Sequence, residues 1–292
     1  MVECCEEVKL PNFYVSIILE SLASFLLVFI GGSVYVKYER PYNVSNVYEI
    51  AVVFGGMLTV LSECLKDVSK AHINPIITLA STLTKRISLL RALCYIVFQF
   101  AGALAGVYAL DAMVPKAAAR AVGMTVLSAD TTLLKGLVFE MIFSFIYTWI
   151  HFASRNSRDT FKGFSGPLAI GIFYALSHII LVEHTGCSLN PARSLAPAIY
   201  ENNFNELWVF IIGPFLAGAL SGLVHDLIIH RSKGHPYPRA RSCSITCCKP
   251  SREEVIMTNR NAVEKVENKV LTSHSSGPDI IIYPPLGQEK LV

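Results

Sequence analysis

Charged residues are scarce in this sequence. Only 16% of its 292 residues are Asp, Glu, Lys or Arg, whereas 52% are hydrophobic, and the mean hydropathy is +0.47. These values exclude an ordinary soluble domain and are typical of a protein that crosses a membrane several times. The formal net charge of +3 is small, and we expect no nucleic-acid partner, because in a membrane protein the placement of Lys and Arg matters more than their sum.

Cysteine patterns that build disulfide scaffolds or metal sites are also lacking. The eight cysteines lie mostly in the tails or inside apolar segments, and Cys247 and Cys248 are adjacent, without the spacer that zinc ligands usually have. No nucleophile, base and orienting group occur together at motif spacing. We therefore expect no disulfide framework, no metal, no cofactor and no enzymatic activity.

Six apolar runs are about long enough to cross a bilayer. An acidic residue in such a run is expensive unless it finds a partner, so Glu20 in the first run and Glu140 in the fourth should face the interior of the helix bundle as buried supports. For Glu20, structural hydrogen bonding and a direct role in a pore both remain open. The runs are 13–36, 47–65, 89–114, 133–153, 164–182 and 207–229.

Two shorter segments between these runs contain the same Asn-Pro pair. Asn190-Pro191 lies 116 positions after Asn74-Pro75, and the same offset carries Ala101-Gly102-Ala103-Leu104 onto Ala217-Gly218-Ala219-Leu220. This is an internal repeat. Each segment is too short to span and predicts a re-entrant half-helix, with the asparagine as its cap and the proline in its first turn.

Each half thus contains three spans and one half-helix. Because three is odd, the second copy must enter the membrane upside down, so we predict an all-α membrane protein with six transmembrane helices and two half-helices in an inverted repeat. The positive dipole ends of the half-helices then meet at the bilayer centre. The predicted divisions are a tail at 1–12, a first repeat at 13–114, a connector at 115–132, a second repeat at 133–230 and a largely disordered tail at 231–292.

Lys and Arg residues flank the first half-helix segment and fill the loop after the fourth run, which predicts that these loops and both termini are cytoplasmic. Arg193 follows Asn190 by three residues. A guanidinium inside a membrane is expensive unless it lines water or pairs with carboxylates or carbonyls, so it favours a wet lumen, with a loop-bridging role as the alternative. Asn74 and Asn190 can donate to a small neutral molecule, while the facing dipoles oppose protons and metal ions.

The paired Asn-Pro motifs in inverted halves resemble those of the aquaporins, the major intrinsic protein family, over roughly residues 10–230. The resemblance implies a homotetramer in which each monomer holds a pore for water. It places the pore centre at Asn74, Pro75, Ile76, Asn190, Pro191 and Ala192, and the narrowest point at Phe54, His178, Cys187 and Arg193. That quartet is similar to the water-selective branch, since glycerol-conducting relatives usually have an Asp where Ser194 follows Arg193.

Two positions depart from the family pattern. Ile76 stands where the family usually has alanine, so we expect either that the second half-helix yields or that the pore centre narrows. Lys70, which with His72 is placed at the cytoplasmic mouth, stands where the family usually has glycine. Its side chain either extends harmlessly into the vestibule or partly blocks it.

Passive, osmotically driven water flow that excludes protons and ions is the leading hypothesis. The alternatives are a channel for neutral solutes such as glycerol, urea or peroxide, a poorly conducting protein of this fold that acts in adhesion or signalling, and an ion-conducting variant. No partner protein for the tails can be identified from the sequence. We expect an integral protein of the plasma membrane.

Modification sites are predicted outside the spans. Asn43 opens an N-glycosylation triplet, used only if its loop is extracellular. The basic segment after residue 230 holds the palmitoylation candidates Cys243, Cys247 and Cys248, for which free thiols are the alternative, and a phosphorylation candidate, Ser242.

Overall fold

A computed structural model describes residues 7–36, 46–114, 123–156 and 165–233, and within these ranges the chain forms eight helices and no strand. The all-α, aquaporin-like fold class predicted from the sequence is confirmed. Asn43, Ser242, Cys243, Cys247 and Cys248 lie outside the described residues. The helices are α1 Pro11–Ser33, α2 Val47–Leu65, α3 Pro75–Leu83, α4 Leu89–Met113, α5 Leu133–Asn156, α6 Gly166–Thr185, α7 Pro191–Tyr200 and α8 Leu207–Lys233.

Six of these helices, all except α3 and α7, are long and apolar enough to cross a membrane. Their outer surfaces carry more large apolar side chains than the surface of a water-soluble protein does. Examples are Val52, Val97 and Leu134, which are 69%, 61% and 70% exposed. Together with the six-span pattern, these surfaces identify an integral membrane protein.

The packing follows the repeat. In each half the first long helix packs on the third, α1 on α4 and α5 on α8, and the middle helices α2 and α6 pack on each other across the halves. Glycines allow the closest approaches: a methyl group at Gly55 of α2 would lie 2.5 Å from the carbonyl oxygen of Gly171 of α6. Each half-helix packs on the third long helix of the other half, α3 on α8 and α7 on α4.

The helix ends differ from the predicted runs by a few residues. The first helix begins at Pro11 and ends at Ser33, whereas the apolar run covers 13–36. The last helix continues to Lys233, beyond the predicted end of the second repeat at 230. Such differences are expected, because capping rather than hydropathy sets where a helix begins and ends.

Candidate functional site

Both half-helices begin at an asparagine cap. Asn74 and Asn190 have extended backbones, and each accepts a hydrogen bond at Oδ1 from the residue two positions on, Ile76 N and Ala192 N, both at 3.0 Å. Pro75 and Pro191 occupy the first helical position, where no N–H is needed. The local sequence thus fixes where both half-helices start.

The two caps also bind each other's halves. Asn74 Nδ2 donates to the Leu189 carbonyl at 2.8 Å, and Asn190 Nδ2 donates to the Ile73 carbonyl at 3.0 Å. The N-termini of α3 and α7 therefore meet within the protein, although they are far apart in sequence. Each amide carries a second N–H that these two contacts leave unused.

Buried carboxylates hold the segments that lead into the half-helices. Glu20 accepts hydrogen bonds from Ser69 Oγ at 2.5 Å, from His72 N at 2.9 Å, from Ile73 N at 2.6 Å and from Gln99 Nε2 at 2.8 Å. In these contacts Glu20 acts as a scaffold. Backbone groups at membrane depth need such acceptors, because no lipid group can supply them.

Glu140 has the matching place in the second half. It accepts from Thr185 Oγ1 at 2.7 Å, from Ser188 N at 2.9 Å and from Leu189 N at 2.9 Å. Three of the donors to Glu20 recur at the repeat offset, whereas Gln99 has no donor counterpart. Both carboxylates are fully buried.

The lead-in segments share an unusual backbone. Left-handed conformations are unfavourable for residues with a Cβ, yet they occur at equivalent positions in both halves. The hydrogen bonds to Glu20 and Glu140 hold this geometry. The φ values are 66° at Lys70, 45° at Ala71 and 55° at Ile73, against 73° at Gly186, 55° at Cys187 and 52° at Leu189.

The four residues that the resemblance assigns to the narrowest point come together in the structure. The rings of Phe54 and His178 stack with centroids 4.5 Å apart. Cys187 Sγ lies 3.5 Å from His178 Nδ1, and Arg193 Cζ lies 5.2 Å from the centre of the Phe54 ring. All four are buried. The arrangement places one cation and one imidazole at a common level beside an aromatic wall.

Arg193 is positioned by residues that sequence reasoning missed. Its Nη1 donates to the Gly123 carbonyl, and its Nη2 lies 3.5 Å from both the Tyr35 hydroxyl and the Gly186 carbonyl. Burial raises the pKa of the Tyr35 phenol above its usual range, while the charge of Arg193 opposes that rise, so Tyr35 accepts as a neutral hydroxyl. A glycine in a polar connector is a signal too common to have singled out Gly123.

Two polar atoms of the quartet have no protein partner among the described residues, His178 Nε2 and Arg193 Nε, and both are buried. A buried polar group without a hydrogen bond is costly, and native proteins normally satisfy it with protein or water. These atoms therefore mark the side of the quartet at which a water molecule can bind.

Ile76 points toward α8. It is fully buried, and a methyl group at Gly218 would lie 3.0 Å from Ile76 Cβ. The equivalent residue, Ala192, packs instead with Ala103 and Val107 of α4. Ile76 Cβ therefore lies against the small surface of α8 at Gly218.

Lys70 and His72 lie in different surroundings. Lys70 is exposed and lines a cavity of about 560 Å³ together with residues such as Ser69 and Arg91. His72 is 3% exposed, and its Nδ1 lies 3.1 Å from Thr78 Oγ1. The lysine therefore belongs to the open end of the lead-in segment and the histidine to its interior.

Aromatic rings run from the quartet to His72, a feature that sequence reasoning missed. The centroid distances are 4.8 Å from His178 to Tyr174, 5.6 Å from Tyr174 to Tyr147, 6.4 Å from Tyr147 to His151 and 6.3 Å from His151 to His72. The available signal was the spacing of four residues within helices. Tyr147 and His151, like Tyr174 and His178, are separated by four positions and so share a helix face.

Comparison with known proteins agrees with this architecture. The family described as Major intrinsic protein matches residues 7–225. Aquaporin-1 of Homo sapiens is 34% identical over 228 residues, which cover 76% of this chain and 85% of that protein. Aquaporin-5 of Mus musculus is 36% identical over 228 residues, 78% of this chain and 85% of that protein.

A solved structure shares the fold. The X-ray structure of the aquaglyceroporin from Plasmodium falciparum superposes with a TM-score of 0.61 at 18% sequence identity, covering 74% of this chain and 97% of that one. At this identity the likeness shows the fold alone. The family match spans most of the chain and includes both asparagine caps and the quartet, so this protein is a member of the major intrinsic protein family of membrane channels.

Proposed function

We propose that this protein is a water channel that conducts water passively along an osmotic gradient and excludes protons, ions and glycerol. The carrying observation is the quartet, in which Phe54 and His178 stack at 4.5 Å and Arg193 lies over the same Phe54 ring at 5.2 Å. Because the donor-rich imidazole of His178 covers the Phe54 ring, the carbon chain of glycerol would find no free apolar wall there. A water molecule needs only the polar side of the quartet for its hydrogen bonds.

The asparagine pair supports the exclusion of ions. Both half-helices direct their N-termini at the same point, so their dipoles add as partial positive charge there. Arg193 adds a full positive charge on the way to it. A cation or a proton hopping along a water file would meet both barriers, whereas neutral water meets hydrogen-bond donors.

The setting proposed for this activity rests on charge placement and on the family. Lys and Arg flank the Lys70 end of the lumen, which we place in the cytoplasm with both termini. The exposed apolar belt suits lipid and subunit contacts, and we propose a homotetramer in the plasma membrane with a lumen in each subunit.

Purified protein in liposomes tests the selectivity. Stopped-flow light scattering in a sucrose gradient should show faster shrinkage than empty liposomes. In a glycerol gradient the vesicles should shrink without a channel-dependent recovery. Swelling back at a rate set by glycerol entry would instead identify a channel for small neutral solutes.

A double variant, Phe54→Ala with His178→Ala, sharpens the test. Removing both rings should open the lumen to glycerol while water still passes. The matched control, Val52→Ala with Ile180→Ala, changes the same two helices at side chains that are 69% and 49% exposed, and it should behave like the unsubstituted protein. Equal glycerol exclusion by both variants would contradict the role assigned to the quartet.

A further inference from the structure

The lumen carries a second set of unusual residues on the other side of the asparagine pair, and this inference rests on the proposed function. Tyr147, His151 and Arg155 follow one another at intervals of four on α5. Such spacing places them on one helix face, along about 12 Å of helix axis. Tyr147 lies beside the Asn74 side chain, so the face starts at the asparagine pair and runs away from it.

His151 brings this face against the lead-in segment of α3. Its ring lies 6.3 Å from that of His72, nearly perpendicular to it, and both residues are buried, at 2% and 3% exposure. The His72 ring in turn meets Tyr95 edge to face at 5.4 Å. Two large rings from opposite sides therefore approach each other just past Ile73, whose carbonyl accepts from Asn190.

Unpartnered polar atoms show that this face meets water. Among the described residues, His151 Nδ1 and two nitrogens of Arg155, Nε and Nη2, are buried without a hydrogen-bond partner. A buried guanidinium nitrogen without a protein acceptor is costly unless water satisfies it. A lumen filled with water supplies that solvation, as it does for Arg193 Nε on the opposite side.

Arg155 carries positive charge at this end of the path, within electrostatic range of the carboxylates of Glu63 and Asp67. Glu63, which lies on the neighbouring α2, is occupied by Lys66 and by the Ser165 hydroxyl. His72 and His151 sit between Arg155 and the asparagine pair, and their rings carry polar nitrogens without adding a carboxylate to the lumen. Positive charge thus stands at both ends of the path, Arg193 at one and Arg155 at the other.

We propose that Tyr147, His151 and Arg155, with His72 opposite, form a second selectivity segment that limits water flow and repels cations independently of the Arg193 quartet. The histidine pair sets the width of the lumen in this segment. Arg155 supplies its charge.

The role of the histidine pair in setting the width of the lumen is tested by measuring the water permeability of proteoliposomes that contain His151→Ala. If the histidine pair limits flow, water permeability per protein rises at least about twofold, and glycerol stays excluded because the quartet is intact. Ile146→Ala is the matched control, since Ile146 lies on the same helix, is 37% exposed and should leave permeability unchanged. Thermal unfolding of both variants in detergent checks that they are folded.

Charge is tested with Arg155→Gln, Arg193→Val and the double variant, using proton and potassium flux as readouts. A unit charge met at close range in a partly hydrated site changes a cation barrier by roughly tenfold or more. The double variant should therefore leak at least about tenfold more than Arg193→Val alone. Arg155→Lys, combined with Arg193→Val, should restore the lower leak.

The outcomes separate this inference from the proposed function. Unchanged water flow in His151→Ala, or a double variant that leaks no more than Arg193→Val, overturns the second segment while the water channel stands. If the unsubstituted protein conducts no water but the His151→Ala variant does, the second segment is supported and the proposed function is overturned. If neither protein conducts, both proposals fail.

Discussion

The two half-helix sites are built on one plan and filled differently. Equivalent positions recur at an offset of 116 residues: the Asn74 and Asn190 caps donate to each other's halves, and Lys70 and Gly186 share a left-handed backbone. The hydrogen-bonding groups are kept, and the space-filling groups are not. Ile76 stands against Gly218, whereas Ala192 packs on the small residues of α4. Backbone geometry at membrane depth is therefore constrained more strictly than side-chain volume, because an unsatisfied N–H in the membrane has no water to bind.

The largest effect is expected from removing the buried carboxylates. Glu20→Ala leaves four donors without their acceptor and Glu140→Ala leaves three. We expect the free energy of unfolding to fall by about 4 kcal/mol or more for Glu20→Ala and by about 1 kcal/mol less for Glu140→Ala. Denaturation of the purified variants in mixed detergent micelles measures both. A larger loss at Glu140 would show that the comparison of donors does not decide stability.

An intermediate effect is expected where the halves differ in packing. A methyl group at Gly102 would run into the Ser21 backbone carbonyl, whereas at Gly218 it would meet Ile76 Cβ at 3.0 Å. A backbone carbonyl can move aside less easily than a side chain. Gly102→Ala should therefore lower the free energy of unfolding by about 3 kcal/mol and Gly218→Ala by about 1 kcal/mol. The same unfolding measurement applies to both variants.

A double-mutant cycle with Ile76→Gly sharpens this pair. That substitution removes the Cβ that a methyl group at Gly218 would meet at 3.0 Å, so the penalty of Gly218→Ala should shrink. The penalty of Gly102→Ala should stay the same, because Ser21 is unaffected. Equal coupling at both glycines would mean that Ile76 acts on the whole bundle rather than on α8.

The smallest effect is expected at Lys70, whose equivalent in the other half is Gly186. Gly186→Ala should destabilise by about 1–2 kcal/mol, since φ is +73° and the new methyl group would lie 3.0 Å from Thr125 Cα. Lys70→Gly removes a left-handed lysine but adds freedom to the unfolded chain, so we expect a gain below about 1 kcal/mol. Thermal melting in detergent distinguishes the two signs, and a loss at Lys70 would contradict the argument.

Much of the fold could be predicted because a bilayer restricts the possibilities. The length of the apolar runs predicted the spans, and the odd number of spans between the two Asn-Pro pairs predicted that the second pair enters in the inverted orientation. The places of Phe54, His178, Cys187 and Arg193 came from resemblance to the family. Their meeting in space is now visible in ring and atom distances.

What escaped prediction depends on helix rotation and on long-range partners. The spacing of Tyr147, His151 and Arg155 indicates a common face, but nothing in the sequence states that this face meets the lumen. Gly123 binds Arg193 through a backbone carbonyl, which every residue type carries. The direction of Ile76 likewise depends on a glycine in α8, far along the chain.

The crossed donation between the asparagine caps means that neither half can complete its own centre. Asn74 binds the Leu189 carbonyl and Asn190 binds the Ile73 carbonyl, so a fragment containing one repeat lacks the acceptor for its asparagine and the donor for its carbonyl. Two fragments, cut in the connector and made together in one cell, would each supply what the other misses. The molecule behaves in this respect as a heterodimer whose subunits happen to be joined by a peptide link.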